Sequence, residues 1–390
     1  MSTPHRVPQP TLFTVKSPGS YVQQAGLIHQ AGERIRPLAA HLRILTSPQA
    51  WQAVSPALEA SLDREGIRWQ VEYLSGECTD EAIAQFQQNL VAQGAEGILA
   101  IGGGRVLDTA KAVNEALGDR VLIALPTLAA TCAAWSPLAI VYNSAGGHLR
   151  SQALEAMPAL ILVDSEVIAR SDVRYLRSGI VDALAKWYEF EPYQRHAPHL
   201  LALDTKVSVA RQAVDIFLRW GDEALRANAQ GRVTQALEKV IEANIVLAGL
   251  ANSVRGAIAT PGCAHVIHDT LTHQPELHGW LHGEKVGFSL LIQSLVETRN
   301  GQPDAALLAL LRQYGTPLRL PALQGDRAAR IAQIAAAIAF PTESLEDLPF
   351  TLTPEALHRA LRGTESTDFS DVLPRESDAH VAAYSDVSPS

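Results

Sequence analysis

The feature that most constrains this chain is a change of hydrophobic rhythm near residue 170. Before it, short apolar runs alternate with stretches of helical period. Leu42–Thr46, Arg68–Leu74, Gly97–Ile101 and Val121–Leu125 read as strands, and Leu12–Val15 is a further candidate ahead of the turn Ser17-Pro18-Gly19. Between them, Asp80–Gln93 sets Ile83, Phe86, Leu90 and Val91 on one side of a helix. Short strands that are apolar throughout and alternate with helices imply a parallel sheet covered on both faces. Ala139–Asn143 and Leu160–Val163 read as additional strands near the domain edge. From Val173 to Arg362 the period is helical and no strand interrupts it. Val233–Val254 reads as one long helix, and Ala328–Phe340 as another carrying Ile331, Ile334 and Ile338. Thr353-Pro354-Glu355 supplies an N-cap, a proline at the first helical position and an acid in the first turn of a last helix through Leu361. The expected organisation is therefore an α/β domain over 1–168, an all-helical domain over 169–363, and a disordered acidic tail over 364–390.

Composition narrows the class. The chain has 390 residues, 47% of them hydrophobic, enough to bury a sizeable core. A net charge of -9 argues against a general binder of nucleic acid or anionic membrane. No apolar run approaches the roughly 18 residues that span a bilayer. The segment MSTPHRVPQP has no apolar signal core. Cys78, Cys132 and Cys263 form no CxxC pair. These features lead us to expect a reduced, cytoplasmic enzyme.

Two segments carry chemistry. Gly102-Gly103-Gly104 follows the strand Gly97–Ile101 and opens a helix near Val106. Glycine lets the backbone come close to a ligand, and the free amides at a helix start favour phosphate. The spacing is neither of the standard nucleotide-binding glycine signatures, and a tight strand-to-helix turn explains it equally well. Asp108 and Lys111 follow on the new helix, either supporting the loop or touching a ligand. Pro126-Thr127 ends the next strand at the same sheet edge, where open α/β sheets bind ligands. The second segment holds His265, His268, His273, His278 and His282. His265 and His268 share a helix face, and imidazole is the commonest metal ligand. Spacing alone selects neither the ligands nor their carboxylate partner.

GGGRVLDTAKAV, PTLAATCAAWSPLAIVYN, GIVDALAKWYE, AHVIHDTLTH and LHGEKV together resemble the metal-dependent glycerol dehydrogenase branch of the iron-containing alcohol dehydrogenase superfamily. The likeness runs in order from about Phe13 to Leu361. TCAAW, DALAKWYE and PTESLEDLPFTLTP are most similar to bacterial hydroxycarboxylate dehydrogenases, which reduce 2-oxo acids. The resemblance implies a Rossmann-like α/β domain binding NAD or NADP, an all-α domain, and an active site between them, the dehydroquinate synthase-like fold. It implies one divalent metal, zinc or iron with manganese or nickel as further options, held by Asp182, His265 and His282. It implies that Gly102, Gly103 and Gly104 hold the cofactor pyrophosphate, with Asp108, Lys111, Thr127 and Thr131 also at the cofactor. His268, one turn from His265, is the candidate proton relay. Homo-oligomers are common in the family.

Where glycerol dehydrogenases carry an aspartate that helps hold the polyol, this sequence has Cys132. Lys186 stands four residues after Asp182, on the same helix face, where that branch has a small or neutral residue. Loss of an acid and gain of a cation favour an anionic substrate, so a 2-oxo or 2-hydroxy acid is expected, with Lys186 as its receptor. Alternatively Lys186 bends away to a surface acid, Glu189 or Glu191. Trp135 and Trp187 either wall the cleft or pack the core. Ser47-Pro48-Gln49 follows the second strand without the acid that binds a ribose 2'-hydroxyl, so Ser47 is placed at the cofactor and NADP(H) is favoured over NAD(H). The competing functions are a polyol or simple alcohol dehydrogenase, a dehydroquinate-synthase-like cyclase, and a non-catalytic binding protein.

Overall fold

The computed structural model describes residues 12–118, 120–197, 200–298, 301–341, 345–366 and 369. Six strands form one parallel sheet: β2 (Tyr21–Gln24), β3 (His41–Thr46), β4 (Arg68–Tyr73), β5 (Gly97–Gly102), β6 (Val121–Pro126) and β9 (Leu160–Asp164). Their order is β2-β9-β6-β5-β3-β4. The apolar runs fill its middle because every residue of β5 and β9 is buried between two covering layers. On one face, Leu42, Ile44, Leu99 and Ile123 pack with Leu58 and Leu62 of the helix Pro48–Arg64. On the other, Ile98, Leu122 and Ile161 belong to a core that continues into the helical part as far as Leu361. Each fully buried Leu or Ile contributes about 1.5–3 kcal/mol. The chain leaves β3 outward to β4 and returns past β3 to β5. That reversal opens a crevice at the carboxyl ends of β3 and β5, the place where open parallel sheets take ligands.

The smaller strands differ from the expectation. Leu160–Asp164 lies inside the sheet, between β2 and β6, because Tyr21–Gln24 covers it. The run at Ala139–Asn143 leaves the sheet altogether: β7 (Leu138–Tyr142) pairs antiparallel with β8 (His148–Ala153) in a separate hairpin. Only Thr14–Val15 (β1) of the first candidate is a strand, and it pairs antiparallel with β10 (Val254–Arg255) from the helical part.

Apart from β10, the described elements of that part are helices, built on Val173–His196 and Leu201–Ala229. The segment read as one helix over 233–254 is Gln235–Ser253, widened by a π-turn at Ala243–Leu247. There Asn244 Nδ2 donates to the Ala129 carbonyl at 2.8 Å, tying the π-turn to the loop after β6. Gly179 on Val173–His196 approaches the same carbonyl so closely that an added Cβ would lie 1.9 Å from it. The last helix is Pro354–Ser366, with Thr353 Oγ1 accepting from Ala356 N–H. Thr364 therefore belongs to this helix, and Phe369 is buried; the rest of the expected tail lies outside the described residues. Among the described residues no helix is long and apolar enough to cross a membrane.

Candidate active site

A cleft of about 1110 Å³ runs from the carboxyl ends of β3 and β5 to the helical part. This exceeds the roughly 300–1,000 Å³ usual for one small ligand and suits an extended cofactor with a small substrate. At the sheet end, Gly102 takes φ +155, a region open chiefly to glycine, and Gly103 caps the helix Gly104–Leu117. The helix thus starts two residues before the expected Val106. Gly103, Gly104, Thr127 and Thr131 line the cleft, and Thr127 N–H donates to the Gly102 carbonyl at 3.2 Å, joining the two turns. Ser47 faces the same space and caps Pro48–Arg64, its Oγ accepting from Ala50 N–H at 3.3 Å. These amides, at the start of a helix, can hold a pyrophosphate.

Lys111 does not reach that space. Its buried ammonium pairs with Asp108 at 2.8 Å and donates to the carbonyls of Ser136 and Leu138. Asp108 lines the cleft, while Lys111 is a strut fixing the following loop beneath it. Trp135 packs against Gly249 and Tyr21 and is not among the residues lining the cleft. Trp187 stacks edge-on with Tyr188.

At the helical end, Val173–His196, Cys263–Leu271 and His282–Glu297 converge. They bring ligand atoms of Asp182, His265 and His282 within 4.8 Å of one another, the one such group among the described residues. His265 Nε2 lies 3.1 Å and His282 Nε2 3.4 Å from Asp182 Oδ1. One carboxylate and two imidazoles suit a divalent cation that keeps open coordination positions. Burial alone would raise the Asp182 carboxyl, but Lys186, His282 and His265 outweigh it and hold it well below the usual carboxylate range. Asp182 is therefore ionised, as a ligand must be.

Lys186 is 3% exposed, and its Nζ lies 3.2 Å from Asp182 Oδ1 and 2.8 Å from His265 Nε2. It does not bend away to a surface acid. Glu189, named as such an acid, is only 1% exposed. Both its carboxylate oxygens lie 2.9 Å from His265 Nδ1, and one accepts from His265 N–H at 2.8 Å. Glu189 thus fixes the ring with Nε2 turned to Asp182 and also satisfies an open amide at the start of Cys263–Leu271. Sequence reading missed this role, although Glu189 lies three residues after Lys186 on the same helix. Gly262 makes room for it, since a Cβ there would meet Glu189 Oε1 at 2.3 Å. Glu191 pairs instead with Arg195 at 2.9 Å. Replacing Glu189 by Gln is expected to lower metal affinity about 10–100-fold. Competition with a chelator would measure this, and an unchanged affinity would remove the orienting role.

His268 is buried beside His282, ring centroids 4.4 Å apart. Burial, then the charge of His282, draw its pKa down to about 3, so the ring is neutral. Its Nδ1 lies 3.1 Å from Asp269 Oδ1, and Asp269 lies 3.7 Å from His148. Cys132 lines the cleft, and burial, then Asp182, push its thiol up to about 11. It is therefore a neutral thiol, to which Asn252 Nδ2 donates at 3.7 Å. His273 and His278, the remaining histidines of that segment, hydrogen-bond to backbone carbonyls of His148 and Thr272.

Residues 18–165 match the model of the iron-containing alcohol dehydrogenase family. Over 354 residues the chain is 32% identical to a glycerol dehydrogenase of Pseudomonas putida, covering 89% of this chain and 95% of that one. This chain belongs to the iron-containing alcohol dehydrogenases. As a member it is a dehydrogenase acting on CH–OH groups. It is also 34% identical over 300 residues to hydroxycarboxylate dehydrogenase A of Escherichia coli K12, covering 75% of this chain and 80% of that relative. Among solved structures it is similar to a probable glycerol dehydrogenase from Sinorhizobium meliloti, with a TM-score of 0.79 at 28% identity, covering 95% of this chain and 99% of that one. The two-part architecture is that of the family.

Proposed function

We propose that this dehydrogenase transfers a hydride between a nicotinamide cofactor and the 2-carbon of a small 2-oxo or 2-hydroxy acid, with a divalent metal held by Asp182, His265 and His282. The observation that carries this reading is the buried Lys186 ammonium at the cleft beside those ligands, which must turn from His265 Nε2 toward the substrate when a cation takes that atom. A divalent cation and the ammonium together bring three positive charges into a largely buried site. Asp182 and Glu189 supply two negative ones, and one substrate carboxylate completes neutrality. A neutral polyol leaves the excess charge unanswered, and Cys132 offers it only a weak acceptor.

When bound, the cation supplies Lewis-acid polarisation of the substrate oxygen and the nicotinamide gives or takes the hydride. The chain's own groups do the rest. The glycine turn and Thr127 hold the cofactor at the sheet end. Glu189 keeps His265 aimed, and Lys186 receives the substrate carboxylate. His268, neutral and tied to Asp269, relays the proton at the reacting oxygen toward His148. The turn Ser47-Pro48-Gln49 lines the cleft without a carboxylate, so a 2'-phosphate meets no repulsion and NADP(H) is accepted.

The test is cofactor oxidation with 2-oxobutyrate against dihydroxyacetone and glyceraldehyde, in the presence of zinc, iron, manganese or nickel. Turnover of the neutral carbonyls alone would overturn the acid reading in favour of a polyol dehydrogenase. Lys186→Ala is expected to lower kcat/KM for 2-oxobutyrate by at least about 30-fold, the lower end for truncating a buried charged partner. Equal losses on acid and neutral substrates would remove its carboxylate role.

A further inference from the structure

The β7–β8 hairpin is rooted in one part of the molecule and fastened to the other. Its base belongs to the α/β part. Ala139 and Leu154 pack with Ala112 of the helix Gly104–Leu117, and Lys111 donates to the Leu138 carbonyl. Tyr142 N–H donates to the Cys78 carbonyl at 2.8 Å, and Arg150 grips the Asp80 carboxylate with bonds of 2.6 and 3.0 Å. The tip reaches the helical part. His148 N–H donates to Thr272 Oγ1 at 2.7 Å, and the His148 carbonyl accepts from His273 Nε2 at 2.9 Å. Thr272 is itself held, its Oγ1 donating to the Asp269 carbonyl at 2.5 Å. Gly147 allows the close fit: it is buried, and an added Cβ would lie 2.4 Å from His273 Nδ1.

Both bonds of the tip end just past Cys263–Leu271, the helix that carries His265 and His268. Between base and tip, Leu138, Ile140, Tyr142 and Ser151 line the cleft. The hairpin is therefore a strap that runs from the α/β part, along the cleft, to the helix of two active-site histidines. A second tie between the parts, Asn244 to the Ala129 carbonyl, is buried and closely packed by Gly179. The bond from His273 is exposed. Water can replace an exposed hydrogen bond at little cost, whereas breaking a buried one leaves its groups unpaired. Both bonds of the tip also fall on the backbone of one residue, so they part together. The fold thus has a fixed joint after β6 and a releasable one at the hairpin tip.

We infer that the hairpin tip is a clasp over the cofactor, held by Thr272 and His273: it opens for the nicotinamide cofactor to enter and leave, and closes for hydride transfer. This rests on the cofactor placement of the proposed function and adds the step that retains the cofactor. Fastened, the tip pins the wall formed by Ile140 and Tyr142 to the helix of His265. Released, it frees that wall. Losing either bond shifts the balance toward the open state by the net worth of one hydrogen bond, a factor of about 2 to 10.

The experiment follows the fluorescence of NADPH or NADH bound to the metal-loaded protein as excess oxidised cofactor displaces it. Thr272→Val removes the acceptor and His273→Phe the donor, each with little change of shape. Each is expected to speed release of the reduced cofactor about 2- to 10-fold and to raise its Kd by a like factor. Thr272→Ser, which keeps the hydroxyl, should release the cofactor at the wild-type rate. Metal affinity, read by chelator competition, should stay that of the wild type. In hydrogen exchange the His148 amide should be slower with cofactor bound than without, and Thr272→Val should shrink the difference. Thermal unfolding checks that each variant folds, and His273→Phe, at an exposed position, is the reporter if Thr272→Val does not. Unchanged release in both variants, or fast release that persists in Thr272→Ser, would overturn the clasp and leave the dehydrogenase reading intact. Faster release together with lost metal would also sink it, since the helix of His265 would then have moved as a whole. A wild-type protein that bound neither NADPH nor NADH would overturn the cofactor placement and the clasp with it.

Discussion

Replacing His265 or His282 by Ala is expected to abolish tight metal binding and to lower turnover by at least about 10³-fold, several kcal/mol of Lewis-acid stabilisation being forfeited. The geometry explains why two ligands cannot do the work of three. Asp182 and the two rings come from three different helices, and the nearest further donors are already engaged, His268 with Asp269 and Glu189 with His265. Removing either ring leaves Asp182 beside Lys186, and that ion pair then competes for the carboxylate. Metal content by elemental analysis and kcat on the same preparation check the prediction together. A His282→Ala protein that retained one metal per chain and normal turnover would remove His282 from the site.

Gly179→Ala is expected to destabilise the fold by about 2 kcal/mol, although it places a better helix former in the middle of a 24-residue helix. Helix propensity alone would gain about 1 kcal/mol. Against that, the new methyl would sit 1.9 Å from the Ala129 carbonyl oxygen and 2.4 Å from Asn244 Nδ2. The first of these atoms is backbone and the second donates to it, so neither can yield without breaking the joint. Overpacking of this kind costs about 3 kcal/mol at the upper end of its usual range, and it outweighs the propensity term. Denaturant unfolding of the variant checks the sign. A Gly179→Ala protein as stable as the wild type would show that the loop after β6 moves freely from the helix.

How much of this was legible in the sequence depended on what each residue is buried against. Fully apolar strands declared themselves, because β3, β5, β6 and β9 are covered on both faces. Tyr21–Gln24 and His148–Ala153 did not: both are polar and half covered or exposed, with no alternation to mark them. The glycine turn was readable from its place after a strand. The proposed metal ligands were not readable from spacing, since Asp182 lies 83 positions from His265, and only the resemblance joined them. Glu189 was misread because its surroundings come from distant parts of the chain. Its helix face was visible, but not the amide of His265 that it would meet. Lys111 was read with the cofactor because it follows the glycines by one helical stretch. Its acceptors, Ser136 and Leu138, lie where the loop after β6 enters β7, and no local pattern foretells the course of that loop.

The polar strand that escaped the sequence reading also sets how far the chain can be trimmed. Tyr21–Gln24 is the outermost strand of its sheet, and Gln23 Nε2 fastens it to the Glu238 carbonyl at 3.1 Å. Directly inside it runs Leu160–Asp164, buried along its whole length. Cut away the first, and the second becomes an open, hydrophobic edge with unpaired amides, the template on which chains stack into aggregates. A shortened version that begins after Gln24 would thus fail by insolubility before it failed by loss of chemistry, and any fusion or tag is best joined ahead of Tyr21.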